Sequence, residues 1–309
     1  MVTSPLTQPT DQDGPWTSLV RALVGLQRNG GRLLFIANPG NVGDALIASA
    51  TWQLMEDLHL RPQSSRLREI REGDVVIFGG GGNLVPLYRN AADCLDAGLA
   101  RGVARFILLP HTVRGHEELL SRLDGRFTLF CRDRASHEHV LHHAPNANAA
   151  MAPDMALRLD VGRLQARAER SAVHWKALWA MLRSGHWRRY RRWLELSQAI
   201  LPDASGHLDI FRSDAEAQRL PGPKSRDLSG LYDSALRSRD ECDSLSAQFL
   251  GVIGRARSVR TDRLHVAIGA QLLRLPVELL DNSYGKNHAV VGAFPELLPS
   301  VRLLGSPDL

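Results

Sequence analysis

Cysteine is scarce in this chain, and its placement excludes two kinds of protein. The 309 residues include three cysteines, Cys94, Cys131 and Cys242, which lie far apart. Disulfide frameworks and zinc sites need paired or closely spaced cysteines, so the sequence argues against both and favours reduced thiols in the cytosol. We therefore expect no metal site in this protein.

Long apolar runs are absent as well. No stretch approaches the roughly 20 apolar residues of a membrane-spanning helix, and the 44% share of hydrophobic residues is ordinary for a globular protein. Residues 1–17 are polar and lack the apolar segment of a signal peptide. We expect a cytoplasmic protein that begins with a loose tail over residues 1–17.

The chain carries an excess of positive charge, which narrows its partners. The net charge is +5 and the isoelectric point is about 9.5. Such a protein suits nucleic acid, an acidic membrane or a phosphorylated substrate. No nucleic-acid-binding fold is recognisable, so we expect no nucleic-acid partner.

Apolar strands alternate with helical stretches along the chain. Short apolar runs at 32–37, 74–78, 106–109 and 127–131 are each followed by a loop. Strands that are apolar throughout and alternate with helices indicate a parallel sheet covered on both faces. A second alternation of strands and helices begins at His207.

The two stretches of alternating strands and helices predict an α/β protein of two Rossmann-like domains whose parallel sheets face a central cleft. We place the domains at 18–165 and 206–309, joined by a helical, arginine-rich connector at 166–205. The connector carries four of the six tryptophans within 174–193, interleaved with lysine and arginine. This pattern is typical of a helix at an anionic membrane surface, and equally of an inter-domain helix that packs its tryptophans inward.

Two glycine-rich loops and a basic segment follow predicted strands, where parallel sheets bind ligands. The segment 40–44 ends in Asp44, which either caps the next helix or acts as a base. Residues 79–83 form a predicted loop of four glycines and Asn83. Neither loop has the lysine of a P-loop or a clear dinucleotide fingerprint. Arg132 is an anion ligand that its neighbour Asp133 can hold in place.

The segment 261–265 combines anion binding with proton transfer. It follows a predicted strand at 252–259 and opens a predicted helix that Thr261 would cap. Arg263 offers a fixed fork to an oxyanion, and His265 exchanges protons near neutral pH. The same residues also fit a surface ion pair beside a packed histidine. Lys286 either adds positive charge to the cleft or lies in a solvated turn.

Taken in order, these motifs resemble those of the polysaccharide pyruvyl transferase family, from about residue 31 to 290. The matching segments are 40–44, 79–84, Leu109-Pro110-His111-Thr112, Arg132-Asp133 with Ser136, Asp154, Arg212-Ser213-Asp214 with Glu216, 261–265 and 281–286. The family's usual Leu-Pro-Gln-Ser reads Leu-Pro-His-Thr here. The resemblance implies a GT-B-like fold and a donor site that contains Arg132, Arg263 and His265.

The resemblance also implies transfer of pyruvate from phosphoenolpyruvate to a sugar, as a ketal, without cofactor or metal. We expect His265 to act as general acid or base and Asp44 as the base for the acceptor hydroxyl. The acceptor would be an oligosaccharide, lipid-linked at the inner membrane, which 174–193 would contact. The remaining predicted ligands of the substrates are Asn41, Gly80, Gly81, Gly82, Asn83, Leu264 and Lys286.

Two other functions remain open on the sequence alone. A GT-B glycosyltransferase with a nucleotide-sugar donor would use the same cleft, with the glycine loops facing a diphosphate. A non-catalytic scaffold of polysaccharide assembly would have no need for Arg132, Arg263 and His265 together.

Overall fold

Parallel β-sheets form the framework of the protein. The computed structural model describes residues 14–26, 31–170, 187–213, 227–228, 233–234, 238–283 and 285–305, together with Trp175, Trp179 and Leu182. Within these ranges the chain builds one larger and one smaller parallel sheet, each flanked by helices. The predicted α/β class with parallel sheets is confirmed.

The larger sheet lies in the first half and contains seven strands in the described part of the chain. They are β1 (Leu33–Ile36), β3 (Gln63–Ser64), β4 (Val75–Phe78), β5 (Gly81–Leu84), β6 (Arg105–Val113), β7 (Phe127–Cys131) and β8 (Asn148–Met151). Their order is β3-β1-β4-β6-β7-β8, with β5 paired to β6, and every pairing is parallel.

Helices cover this sheet because parallel strands need crossover connections. They are α1 (Thr17–Gly25), α2 (Val42–Asp57), α3 (Asn90–Arg101), α4 (Glu117–Ser121) and α5 (Arg134–His143). Side chains fix two of the helix starts: Asn41 accepts a hydrogen bond from the Gly43 N–H, and Asp133 accepts one from the Ser136 N–H. A 3-10 helix at Met155–Arg158 follows β8.

The smaller sheet lies in the second half. Its strands are β9 (His207–Ile210), β11 (Ser258–Thr261), β12 (Val277–Leu279) and β13 (Val301–Leu303), parallel in the order β13-β12-β11-β9. Five further helices follow α5 along the chain: α6 (Val161–Ala168), α7 (Trp187–Gln198), α8 (Arg239–Ile253), α9 (Leu264–Leu272) and α10 (Lys286–Ala293). This count of helices covers only the part of the chain that the structure describes.

The two halves share a hydrophobic core. Helix α2 packs against α8, and small residues let the helices approach until Ser49 Oγ lies 3.1 Å from Ser246 Oγ. The apolar residues of this contact belong to one cluster that reaches from α1 to α10 and Leu298. A two-stranded antiparallel ladder between β2 (Gly40–Asn41) and β10 (Asp233–Ser234) adds a second link. The domain boundaries at 165 and 206 stay a prediction.

Three sequence-based element assignments are wrong. The predicted strand at 252–259 is instead the end of α8 followed by β11, because Val252 and Ile253 reach the core from a helix. The predicted loop at 79–83 includes β5, which pairs with the extended strand β6. Helix α2 begins at Val42, within the predicted loop 40–44, since Asn41 provides its N-cap.

The connector does not place its tryptophans on one surface. Trp193 is fully buried and its Nε1 donates to the Leu228 carbonyl at 3.4 Å, so this tryptophan packs inward. Trp175 and Trp179 are 60% and 62% exposed. Much of 174–193 lies outside the described residues, as do residues 1–13 of the predicted tail. Among the residues that the structure describes, no helix combines the length and apolarity that crossing a bilayer requires.

Candidate active site

A cavity of about 360 Å³ lies where strands of both sheets reach their carboxyl ends, the usual ligand position of parallel sheets. All predicted site residues except Gly80 and Gly81 line it, namely Asn41, Asp44, Gly82, Asn83, Arg132, Arg263, Leu264, His265 and Lys286. Gly80 and Gly81 are buried behind the wall. The cavity therefore gathers residues from both halves of the chain.

Arg132 enters the cavity from the end of β7 and is almost fully buried. Its Nη1 donates to Asp154 Oδ2 at 2.5 Å, and its Nε donates to Thr112 Oγ1 at 2.9 Å. Its Nη2 faces Gly82, where a Cβ atom would lie only 2.5 Å away. Glycine at position 82 is therefore what gives the guanidinium room to reach the cavity.

Asp133 does not hold Arg132, contrary to expectation. Its carboxylate caps α5 and forms an ion pair with Arg114 at 3.0 Å. Neighbours in an extended segment point to opposite sides, so Asp133 faces away from the Arg132 side chain. The arginine finds its carboxylate, Asp154, after β8.

His265 reaches the same carboxylate from the second half. It is the second residue of α9, and its Nε2 lies 3.6 Å from Asp154 Oδ2. Its ring packs on Gly43, where a Cβ atom would lie 2.4 Å from Nδ1. Burial alone would raise the pKa of Asp154, but the charge of Arg132 together with His265 holds this pKa well below its usual range. Asp154 is thus an anion that links both halves.

Asp44 caps its helix and lines the cavity at the same time. Its Oδ2 accepts the Asn41 N–H at 2.9 Å, which completes a capping box with Asn41. Burial raises the pKa of Asp44, an effect that the charge of His265 and the hydrogen bond from Asn41 oppose. Two carboxyl groups of this site therefore have pKa values shifted in opposite directions, which is the usual basis for dividing acid–base roles.

Arg263 occupies the N-cap position of α9, so Thr261 is not the cap. Thr261 Oγ1 instead donates to the Ile210 carbonyl and accepts the Arg263 N–H. Arg263 forms a two-point ion pair with Asp227, with Nε 3.0 Å from Oδ1. The Arg263 side chain makes no capping hydrogen bond, so the positive N-terminus of α9 adds to the potential at Leu264 and His265.

Two more cationic side chains complete the wall. Lys286 is the first residue of α10 and is mostly buried, so it does not lie in a solvated turn. Arg212 follows β9, is buried and also lines the cavity. Sequence reasoning placed Arg212 among the family motifs but gave it no role. Asp214, Glu216 and Tyr284 of those motifs lie outside the described residues.

A buried polar chain supports Asp44 from behind. Asn38 Nδ2 lies 3.4 Å from Asp44 Oδ1, and Asn83 Nδ2 donates to Asn38 Oδ1 at 2.6 Å. His111 Nε2 lies 3.1 Å from Asn83 Oδ1. Burial, reinforced by the charge of Arg132, lowers the pKa of His111 to about 3, so this histidine is neutral. The departure from the family's Leu-Pro-Gln-Ser thus falls on a residue that supports the cavity wall.

The cavity suits a small anion with more than one charged group. Four cationic side chains line it (Arg132, Arg212, Arg263 and Lys286). Burial raises the pKa of Asp44, which favours the uncharged form of this carboxyl group. A cluster that could hold a metal ion, Glu117 with His139 and His143, lies on α4 and α5 and does not line the cavity.

The cavity thus brings cationic side chains together with a histidine and a carboxyl group at the strand ends of an α/β fold. The family model of polysaccharide pyruvyl transferases matches residues 41–284. The chain therefore belongs to the polysaccharide pyruvyl transferase family and is a transferase.

A solved structure supports the fold. A functionally uncharacterised protein from Klebsiella pneumoniae subsp. pneumoniae NTUH-K2044 is 24% identical, with a TM-score of 0.69 over 98% of this chain and 100% of that chain. At this identity the likeness concerns the fold alone. A search of curated proteins found no match.

Proposed function

We propose that this transferase moves pyruvate from phosphoenolpyruvate to two hydroxyl groups of a polysaccharide sugar, forming a ketal. The observation that carries the proposal is the convergence of Arg132, Arg212, Arg263 and Lys286 on a cavity that also holds His265 and Asp44. Phosphoenolpyruvate has a phosphate and a carboxylate, and arginine binds either oxyanion through two parallel hydrogen bonds. We assign one anionic end to Arg132 and the other to Arg263.

In the proposed reaction, a proton first adds to the methylene carbon of phosphoenolpyruvate. His265 delivers it, since its ring lines the cavity and its Nε2 lies 3.6 Å from the Asp154 carboxylate. A sugar hydroxyl then attacks the central carbon while Asp44 accepts the hydroxyl proton. The carbon–oxygen bond to phosphate breaks with its electron pair on the phosphate, and a second hydroxyl closes the ketal and gives its proton to that phosphate. The cationic wall stabilises the departing phosphate.

Donor choice tests this proposal against the nucleotide-sugar alternative. We expect phosphoenolpyruvate to raise the melting temperature of the purified protein, because a ligand that binds the folded state stabilises it. UDP-glucose should leave the melting temperature unchanged. A shift with UDP-glucose and none with phosphoenolpyruvate would support a glycosyltransferase instead.

His265 provides the direct test of the chemistry. We expect His265→Ala to slow phosphate release from phosphoenolpyruvate and acceptor by roughly 10²–10⁴-fold, the usual contribution of a general acid. His288→Ala is the matched control, because His288 also lies 3.6 Å from an aspartate, Asp281, but does not line the cavity. Equal rates for the two variants would remove His265 from the mechanism.

The same proposal includes a GT-B-like arrangement, with the donor held between the halves. Arg132 belongs to the first half and Arg263 to the second, so a donor bound by both would draw the halves closer together. This arrangement predicts that phosphoenolpyruvate makes the protein more compact, which small-angle X-ray scattering measures. An unchanged radius of gyration at saturating phosphoenolpyruvate would contradict closure.

We also propose a lipid-linked acceptor on the cytoplasmic side of the inner membrane, with peripheral contact through the connector. Trp175, Trp179 and Leu182 are helical and exposed, and their spacing of four and three residues is that of one helix face. Exposed tryptophan beside arginine suits an anionic bilayer surface. Flotation with phosphatidylglycerol vesicles should recover the wild type and not the Trp175→Ser, Trp179→Ser double variant. Recovery of both proteins, or of neither, would exclude this contact.

A further inference from the structure

A second cavity of about 470 Å³ lies beside the first one. It sits at the carboxyl ends of β1, β3 and β4, the strands at one edge of the larger sheet. The two cavities share Pro39 and Asn90, so they adjoin at these two residues. Asp44 lies on the first-cavity side of this shared wall.

The second cavity differs from the first in charge. Arg66 is its cationic residue, and two carboxylates, Glu69 and Asp93, offset that charge. Glu69 is fixed in place, because its Oε2 accepts the Ser65 hydroxyl at 3.0 Å and the Arg66 N–H at 3.1 Å. An anion would meet repulsion here. A neutral ligand with many hydroxyl groups finds both hydrogen-bond donors and hydrogen-bond acceptors in this cavity.

Its shape and exposure suit one unit of a longer chain. Ile36 and Phe78 form a buried apolar floor, whereas Ser64, Asn90 and Asp93 form an exposed polar rim. Mostly apolar surface with a few fixed polar groups is the usual composition of a small-molecule site. A pyranose ring could lay its C–H face on the floor and bond the rim through its hydroxyl groups, while the rest of a polymer extends into solvent.

We propose that the second cavity is the acceptor subsite, which holds a neutral hexopyranose unit. The sugar presents its hydroxyl pair across Pro39 and Asn90 to Asp44 and to the donor in the first cavity. This inference rests on the proposed function, because it assigns the acceptor of that reaction. It separates the two substrates by charge, with the anionic donor among the arginines and the neutral acceptor beside one arginine and two carboxylates.

Binding of simple sugars tests the subsite directly. The probes are the methyl glycosides of glucose, galactose and mannose, followed by saturation-transfer difference NMR with phosphoenolpyruvate present. We expect at least one glycoside to bind the wild type, and Asp93→Ala to raise its Kd roughly ten-fold through loss of a charged hydrogen-bond acceptor. Asp96→Ala is the matched control: Asp96 also lies on α3 and also pairs with an arginine, but lies outside the second cavity.

The outcomes separate this inference from the proposed function. No glycoside bound to the wild type, or equal Kd values for Asp93→Ala and Asp96→Ala, would overturn the subsite. Binding that depends on Asp93, in a protein whose melting temperature phosphoenolpyruvate does not raise, would keep the subsite and reject the proposed donor. If Asp93→Ala fails to fold, Ser64→Ala on the same polar rim takes its place with the same expected rise in Kd.

Discussion

Arg132 and Asp154 form a buried ion pair in which Nη1 lies 2.5 Å from Oδ2, although the residues are 22 positions apart. The same carboxylate oxygen lies 3.6 Å from His265 Nε2. One carboxylate therefore positions a cation of the first half and a histidine of the second. Removing its charge would leave Arg132 buried without a counter-ion.

We predict that Asp154→Asn destabilises the protein by about 3–5 kcal/mol at neutral pH, the usual cost of breaking a buried ion pair. Urea unfolding measures this change. Because the pKa of Asp154 is lower in the folded state, its contribution to stability is present above the ordinary aspartate pKa and is lost as the pH falls through the folded value. The difference in the free energy of unfolding between Asp154→Asn and the wild type should therefore decrease as the pH falls below the ordinary aspartate pKa.

An exposed ion pair provides the comparison for Asp154. Asp124 pairs with Arg126 at 2.7 Å on the surface, so Asp124→Asn should change the free energy of unfolding by less than about 1 kcal/mol. A similarly small change in Asp154→Asn would show that the buried pair is not central to the fold.

Gly82→Ala should weaken donor binding while the fold persists. The added Cβ would lie 2.5 Å from Arg132 Nη2, so the guanidinium must move away from the cavity. We expect the KM for phosphoenolpyruvate to rise roughly ten-fold or more, since one charged hydrogen bond is worth about that factor. Gly125→Ala is the control because nothing lies within 4 Å of its added Cβ. Equal KM values for both variants would show that Arg132 does not bind the donor.

The α/β class and most of the residues that line the cavity could be predicted from the sequence, because apolar runs show where strands end. The partners of the charged residues could not be predicted. Asp154 and Asp227 hold Arg132 and Arg263 across loops whose geometry no local pattern encodes. The strand within the glycine run was missed for a related reason: Gly81–Leu84 pairs with β6 through tertiary contacts that override low strand propensity.

His111 should make the protein sensitive to acid. Burial lowers its pKa from 6.5 to about 3, so the unfolded chain binds a proton between these values that the folded chain does not. Stability should therefore fall as the pH drops from about 6.5 toward 3. His111→Gln keeps a polar partner for Asn83 without titrating, so urea unfolding should show a weaker pH dependence in that variant. The same slope in both proteins would mean that His111 is protonated in the folded state.

Asp44 should trade stability for activity. Its folded pKa is raised, so the folded state holds a proton more tightly than the unfolded chain, and wild-type stability falls as the pH rises through this range. Asp44→Asn keeps an acceptor for the Asn41 N–H but carries no charge. It should gain stability relative to wild type as the pH rises toward neutrality, while losing roughly 10²–10⁴-fold in rate as a lost general base.

The pH profile separates the catalytic role of Asp44 from its capping role. The pH profile of wild-type kcat/KM should have an ascending limb at pH values above the ordinary aspartate pKa. The profile of Asp44→Asn should lack that limb. Asp160→Asn is the matched cap variant, because Asp160 caps α6 by accepting the Arg163 N–H at 2.9 Å and lies outside the cavity. It should keep both the limb and the rate. An unchanged limb in Asp44→Asn would assign the base to another group and leave Asp44 as a helix cap alone.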